Sequence, residues 1–103
     1  MVEQYYSTGL EEIKEEITIH NIFAAIKRNS KHLYVINDGS DKMFVQIYTD
    51  KTRGALYPTE EHWLLPNKRM CFNDVYGVII SKTSIGNKYR ITEFQEVING
   101  IYL

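Results

Sequence analysis

The sequence predicts an all-β protein, an antiparallel β-sandwich that is either jelly-roll-like or an open barrel. Between residues 33 and 94, short runs of β-branched, aliphatic and aromatic residues alternate with turn-forming clusters such as Asn37-Asp38-Gly39-Ser40-Asp41. Within one run, Met43, Val45 and Ile47 alternate with Phe44, Gln46 and Tyr48, the period of a half-buried strand. Hydrophobic content of 44%, with eight tyrosines, suits a folded core rather than a disordered chain. At 103 residues the chain fits one sandwich, since two pieces would be too small to bury adequate cores. We read residues 1–16 as an N-terminal arm or short helix and 17–103 as a single β-sandwich domain.

The elements follow in order. Met1 to Thr8 is an aromatic-bearing lead whose Tyr5 and Tyr6 have no evident partner in sequence. Leu10, Ile13 and Ile17 are spaced as on a helix, whereas Ile17-Thr18-Ile19 is β-branched and alternating, so 9–16 is helix or strand and 17–19 is strand. Residues 21–27 are apolar and short, which fits a strand or one buried helical turn equally. Leu33 to Ile36 and Met43 to Thr49 flank a loop of about five residues and predict a hairpin. Asp50 to Ala55 is a polar loop. Pro58 and Pro66 bracket a segment that must be an edge strand or an irregular crossing, because proline cannot donate to a central ladder.

Turns at Asn67-Lys68 and Ser84-Ile85-Gly86-Asn87 frame the later strands, Met70 to Val75, Val78 to Ile80 and Tyr89 to Phe94. The expected core is Val35, Met43, Val45, Ile47, Phe72, Val78, Ile80, Tyr89 and Ile91. The apolar tail Val97 to Leu103 should pair or pack, within the subunit or with a neighbour.

Composition excludes some functions. The net charge of −1 supplies no basic field to attract phosphate backbones, which argues against nucleic acid as a partner. Five Lys+Arg stand against eight Asp+Glu in residues 1–50, and seven against five in 51–103, an asymmetry expected of a solvated surface. The single cysteine, Cys71, permits no internal disulfide and is expected to pack as a small apolar residue beside Met70 and Phe72. No leader pattern and no apolar run of about 20 residues is present, so synthesis in a reducing cytoplasm, with no membrane association, is expected.

Chemistry-bearing residues do not cluster. His20, His32 and His62 lack metal-ligand spacing, and no cofactor is indicated. Asp38, Asp41 and Asp50 flank one strand pair but read as turn-forming carboxylates. Glu60-Glu61-His62 reads as a solvated edge, with adjacent residues on opposite faces. No glycine-rich phosphate loop occurs, and no catalytic residue is assigned. Tyr48, Tyr57 and Trp63 fit an interface or, as the alternative, a platform for stacking sugar.

The run from Leu33 to Ile47, with Asn37-Asp38-Gly39, then Leu65-Pro66, Val75-Tyr76-Gly77-Val78-Ile79-Ile80 and Gly86-Asn87-Lys88-Tyr89-Arg90-Ile91, resembles small β-sandwich structural proteins of tailed-bacteriophage virions. Pro66-Asn67-Lys68 stands where that pattern has Pro-Gly-Glu. The resemblance implies a non-enzymatic capsid, neck or tail component, made in the host cytoplasm and working with other virion proteins as a homo-oligomer. A host-surface or glycan-binding module is the alternative. The candidate interface residues are Tyr5, Tyr6, Tyr48, Tyr57, Trp63, Ile101, Tyr102 and Leu103.

Overall fold

A computed structural model describes residues 1–49, 57–98 and 101–102, with Tyr102 described by its backbone alone. The expected polar loop at 50–55, Asp50 with it, and Leu103 lie outside the described residues. The elements are β1 (Val2–Ser7), β2 (Glu11–Glu12), β3 (Ile17–Asn21), α1 (Ile22–Ile26), β4 (Leu33–Asn37), β5 (Met43–Tyr48), β6 (Glu60–Leu64), β7 (Arg69–Phe72), β8 (Gly77–Ser81), β9 (Lys88–Ile98) and β10 (Ile101–Tyr102).

The protein is an all-β sandwich of two antiparallel sheets. One sheet runs β1-β9-β4-β7, with β2 and β10 also paired to β9; the other runs β3-β8-β5-β6. The chain passes from one sheet to the other between β2 and β3, β3 and β4, β4 and β5, β6 and β7, β7 and β8, and β8 and β9. That winding is the jelly-roll form of a double-sheet sandwich. Every residue of the expected core is buried, and Ile13, Ile22, Leu33, Leu64 and Val75 complete it.

The expected hairpin of β4 with β5 does not form. β4 has β9 on one side and β7 on the other, so β5 has no place beside it and pairs with β8 and β6 in the second sheet. The loop between them is an arch from sheet to sheet. The segment between the prolines does form an edge strand, β6.

The first sixteen residues form neither an arm nor a helix. β1 lies antiparallel along β9, with Val2 opposite Glu96 and Ser7 opposite Thr92, and Ile13 is buried in the core. The long β9 offers an edge that satisfies the backbone of β1, which outweighs the weak helical spacing of 9–16. Residues 21–27 take the helical alternative. Asn21 caps α1 by accepting the Ala24 amide at 2.9 Å, Lys27 ends it in the left-handed region at φ 63, and Ile22 is buried. The tail turns back on itself, Ile101 opposite Ile98. Cys71 is exposed on β7, not packed, because Phe72 and Met70 take the neighbouring positions whose side chains point inward.

Candidate functional site

Three arches meet at one end of the sandwich, and Asn37 joins them. Its backbone N–H donates to Lys68 O and its carbonyl accepts from Asn67 N–H, both at 2.9 Å. Its side-chain Nδ2 donates to Asp41 O at 2.7 Å and to Leu64 O at 3.0 Å, while Oδ1 accepts from Gly39 N–H and from Asn87 Nδ2. Asn87 Nδ2 also donates to Asp41 O at 3.1 Å, and Asn87 Oδ1 accepts the Asp41 amide. Gly39 is needed for this approach, because a Cβ there would lie 1.8 Å from Asn87 Oδ1. Asn67, standing in Pro66-Asn67-Lys68, adopts φ 61, a conformation that glycine accepts freely and asparagine tolerates better than most residues.

An open hollow of about 560 Å³ lies over these arches. Its carboxylates are already engaged. Asp38 accepts from Arg90 through both oxygens, and Asp41 accepts from Lys42 N–H through Oδ1 and from the Ser84 amide and hydroxyl through Oδ2. Ser84 holds the Asp41 carboxyl below its usual range. These bonds tie the arches to one another.

Midway along β9, buried Glu93 accepts from Arg28 Nη2 and Gln95 Nε2, each at 2.9 Å, and Arg28 also lies 4.6 Å over the Tyr5 ring. A fully buried carboxylate is tolerable only when paired and hydrogen-bonded, which fixes the chain after α1 against β9.

His20 reaches inward from β3 and meets the Tyr89 hydroxyl at 2.7 Å. Burial lowers the His20 pKa from its ordinary 6.5, against an opposing pull from Glu11. Burial, then Glu11 and Tyr6, pushes Tyr89 up to about 12. The unfolded chain therefore takes a proton on His20 more readily than the folded chain does. Its contribution to stability is intact above about pH 6.5 and is lost as pH falls below that value. A melting series from about pH 7.5 to about 5 is expected to show this fall, and His20→Gln, which still offers the Tyr89 hydroxyl a partner, is expected to remove the part beginning near 6.5.

The outer face of the second sheet is the apolar surface that the sequence did not reveal. Register places Ile17, Ser81, Phe44 and Trp63 in one row across the four strands, and Ile19, Ile79, Gln46 and Glu61 in the next. Ile17 is 57% exposed, Ile19 68% and Trp63 46%. The rings of Phe44 and Trp63 are tilted 57° to one another, with Lys82 Nζ 4.5 Å from the first and Lys42 Nζ 4.6 Å from the second. A shallow hollow of about 180 Å³ opens on the same face over Gly77, smaller than the usual site for a drug-sized ligand.

Among the expected interface residues, Trp63 lies on this face, while Tyr57 and Ile101 are exposed elsewhere on the chain. Tyr48 is buried at 4% exposure and packs on Tyr76, so it is not a surface residue. Tyr6 packs against the core, and Tyr5 carries Arg28 over its ring. Tyr5 and Tyr6 thus belong to the first sheet and Trp63 to the second. The signal that was available lay in Ile17-Thr18-Ile19, where both isoleucines share a face, but nothing local says that this face points outward.

His62 and Glu60 share a face of β6, as a spacing of two requires, and lie 3.2 Å apart at the surface; His32 meets Asn73. Among the described residues, no group of three or more His, Cys, Asp or Glu is placed to hold a metal ion, and no helix is long and apolar enough to cross a membrane. No protein-family model matches the chain, and neither a curated protein nor a solved structure matches it.

Proposed function

We propose that the protein is a non-enzymatic structural component of a phage particle, in capsid, neck or tail, acting by self-assembly or by docking onto other virion proteins. The observation that carries this reading is the outer face of the second sheet, where Ile17, Ile19, Ile79, Phe44 and Trp63 lie together. Contiguous apolar surface of this kind marks contact with another macromolecule. The double-sheet jelly roll is an architecture used by viral capsid and lectin domains, and the resemblance of the arch motifs to virion proteins favours the former.

Glycan binding is the alternative. It is less well supported, because sugar stacks on an open ring face and Lys42 lies over that of Trp63. Gradient-purified particles from a phage encoding the chain are expected to contain it in a constant ratio to the major capsid protein, measured by quantitative mass spectrometry. A chain confined to the host lysate, or one retained on cell-wall polysaccharide and absent from particles, would overturn the assignment.

A further inference from the structure

The four outer strands of the sandwich differ in how their edges are guarded. Exposed strand edges invite pairing with another chain, and proteins block them with bulges, prolines and charges. β1 carries a register shift between Gln4 and Tyr6. β6 has Glu60 and Glu61 exposed and lies between Pro58 and Pro66, and β7 begins at exposed Arg69. β3 itself holds no bulge, no proline and no Asp, Glu, Lys or Arg. Its sequence is Ile17-Thr18-Ile19-His20-Asn21, its register with β8 is unbroken, and its other edge has no strand beside it among the described residues.

We propose that β3 pairs antiparallel with β3 of a second copy of this chain, joining the two second sheets into one continuous sheet. The occupant follows from symmetry and charge. An antiparallel pair of identical strands is two-fold symmetric, so one patch serves both subunits and the contact closes at a dimer. Antiparallel pairing also sets the N-terminal flank of each β3 beside the C-terminal flank of the other. The first flank, residues 11–16, holds Glu11, Glu12, Glu15 and Glu16 against Lys14 alone. The second, residues 22–31, holds Lys27, Arg28 and Lys31 and no acid. Glu15, Glu16, Lys27 and Lys31 are all exposed while Arg28 is held by Glu93, so the dimer sets an acidic flank toward a basic one at each end of the paired strands.

The space at the edge fits the same arrangement. A cleft of about 290 Å³ runs beside β3, lined by Ile17, Thr18 and Ile19, by the acidic residues Glu11, Glu12 and Glu15, and by Lys14. The outward isoleucines of both copies then form one apolar stripe that continues into Ile79 and Phe44. Backbone hydrogen bonds supply the affinity and the charged flanks set the direction.

This inference deepens the assembly reading and is separable from it, because it is measured on the isolated chain. Light scattering over rising concentration is expected to show the mass moving from the 12.1 kDa of one chain to twice that value. The double variant Ile17→Lys/Ile19→Lys should remain at the mass of one chain with an unchanged thermal melt, since both positions are exposed. Trp63→Ala should still dimerise, because the edge does not use that ring.

Charge exchange tests the direction. Glu15→Lys/Glu16→Lys and Lys27→Glu/Lys31→Glu should each fail to dimerise alone, and an equimolar mixture should dimerise. A wild-type chain that stays monomeric, a lysine variant that still dimerises, loss of the dimer in Trp63→Ala, or a mixture that fails to pair would each overturn the edge contact. Particles that incorporate the lysine variant normally would overturn its role in assembly while leaving the structural assignment intact.

Discussion

Val45→Asp is expected to yield no folded protein. Val45 is 1% exposed and lies between Ile80 and His62 in the second sheet, its side chain among Met43, Ile47 and the residues of the facing sheet. An aspartate there lies among aliphatic side chains, and its cross-strand neighbour His62 is already bonded to Glu60. Burying an unpaired charge costs several kcal/mol even after relaxation, and a domain of this size has only about 5–10 kcal/mol of stability to lose. Proton NMR dispersion and far-ultraviolet circular dichroism of the variant should be those of an unfolded or aggregated chain. Gln46→Lys, one residue along the same strand but on the outer face beside Glu61, should fold and melt within about 1 kcal/mol of the parent. A cooperative melt for Val45→Asp would refute the inward assignment of this strand face.

Asn37→Ala should lower stability by about 3 kcal/mol, the next largest effect. The substitution removes the donor to buried Leu64 O and the acceptor of Gly39 N–H, and it leaves Asn87 Nδ2 with Asp41 O alone. Each buried polar group left without a partner costs about 1–3 kcal/mol. For a domain of about this length the melting temperature should fall by roughly 15 °C. Asn37→Asp separates donor from acceptor, since a carboxylate keeps the shape and the acceptors but cannot donate to Asp41 O and Leu64 O. It should be destabilised to a similar degree at neutral pH. If Asn37→Asp melted like the parent, the arch network would rest on acceptance alone.

Much of the candidate assembly surface was illegible in the sequence, for a physical reason. Ile17 and Ile19 read as an alternating apolar pair, and such a pair normally marks the core side of a strand. Here His20, not the isoleucines, points inward, to the Tyr89 hydroxyl. Trp63 was legible as a surface candidate because the flanking prolines demote its strand to an edge. Tyr48 was not legible as a core residue. It closes the end of β5, where strict alternation breaks and both Ile47 and Tyr48 are buried.

By itself the sequence determined the sandwich class, the positions of β4, β5, β8 and much of β9, and which of their residues face the core. Period-two alternation is a local property of the backbone, so Val35, Met43, Val45, Ile47, Ile80 and Ile91 needed no knowledge of their neighbours. Only the tertiary structure decided which strands lie side by side. The turn chemistry of Asn37-Asp38-Gly39 fits a hairpin or an arch equally, and the choice rests on β7 and β9 having taken both edges of β4. The same long-range competition made residues 2–7 a strand, because β9 extends far enough to pair with them. Pairing is settled by contacts between residues far apart in sequence, and no local pattern records them.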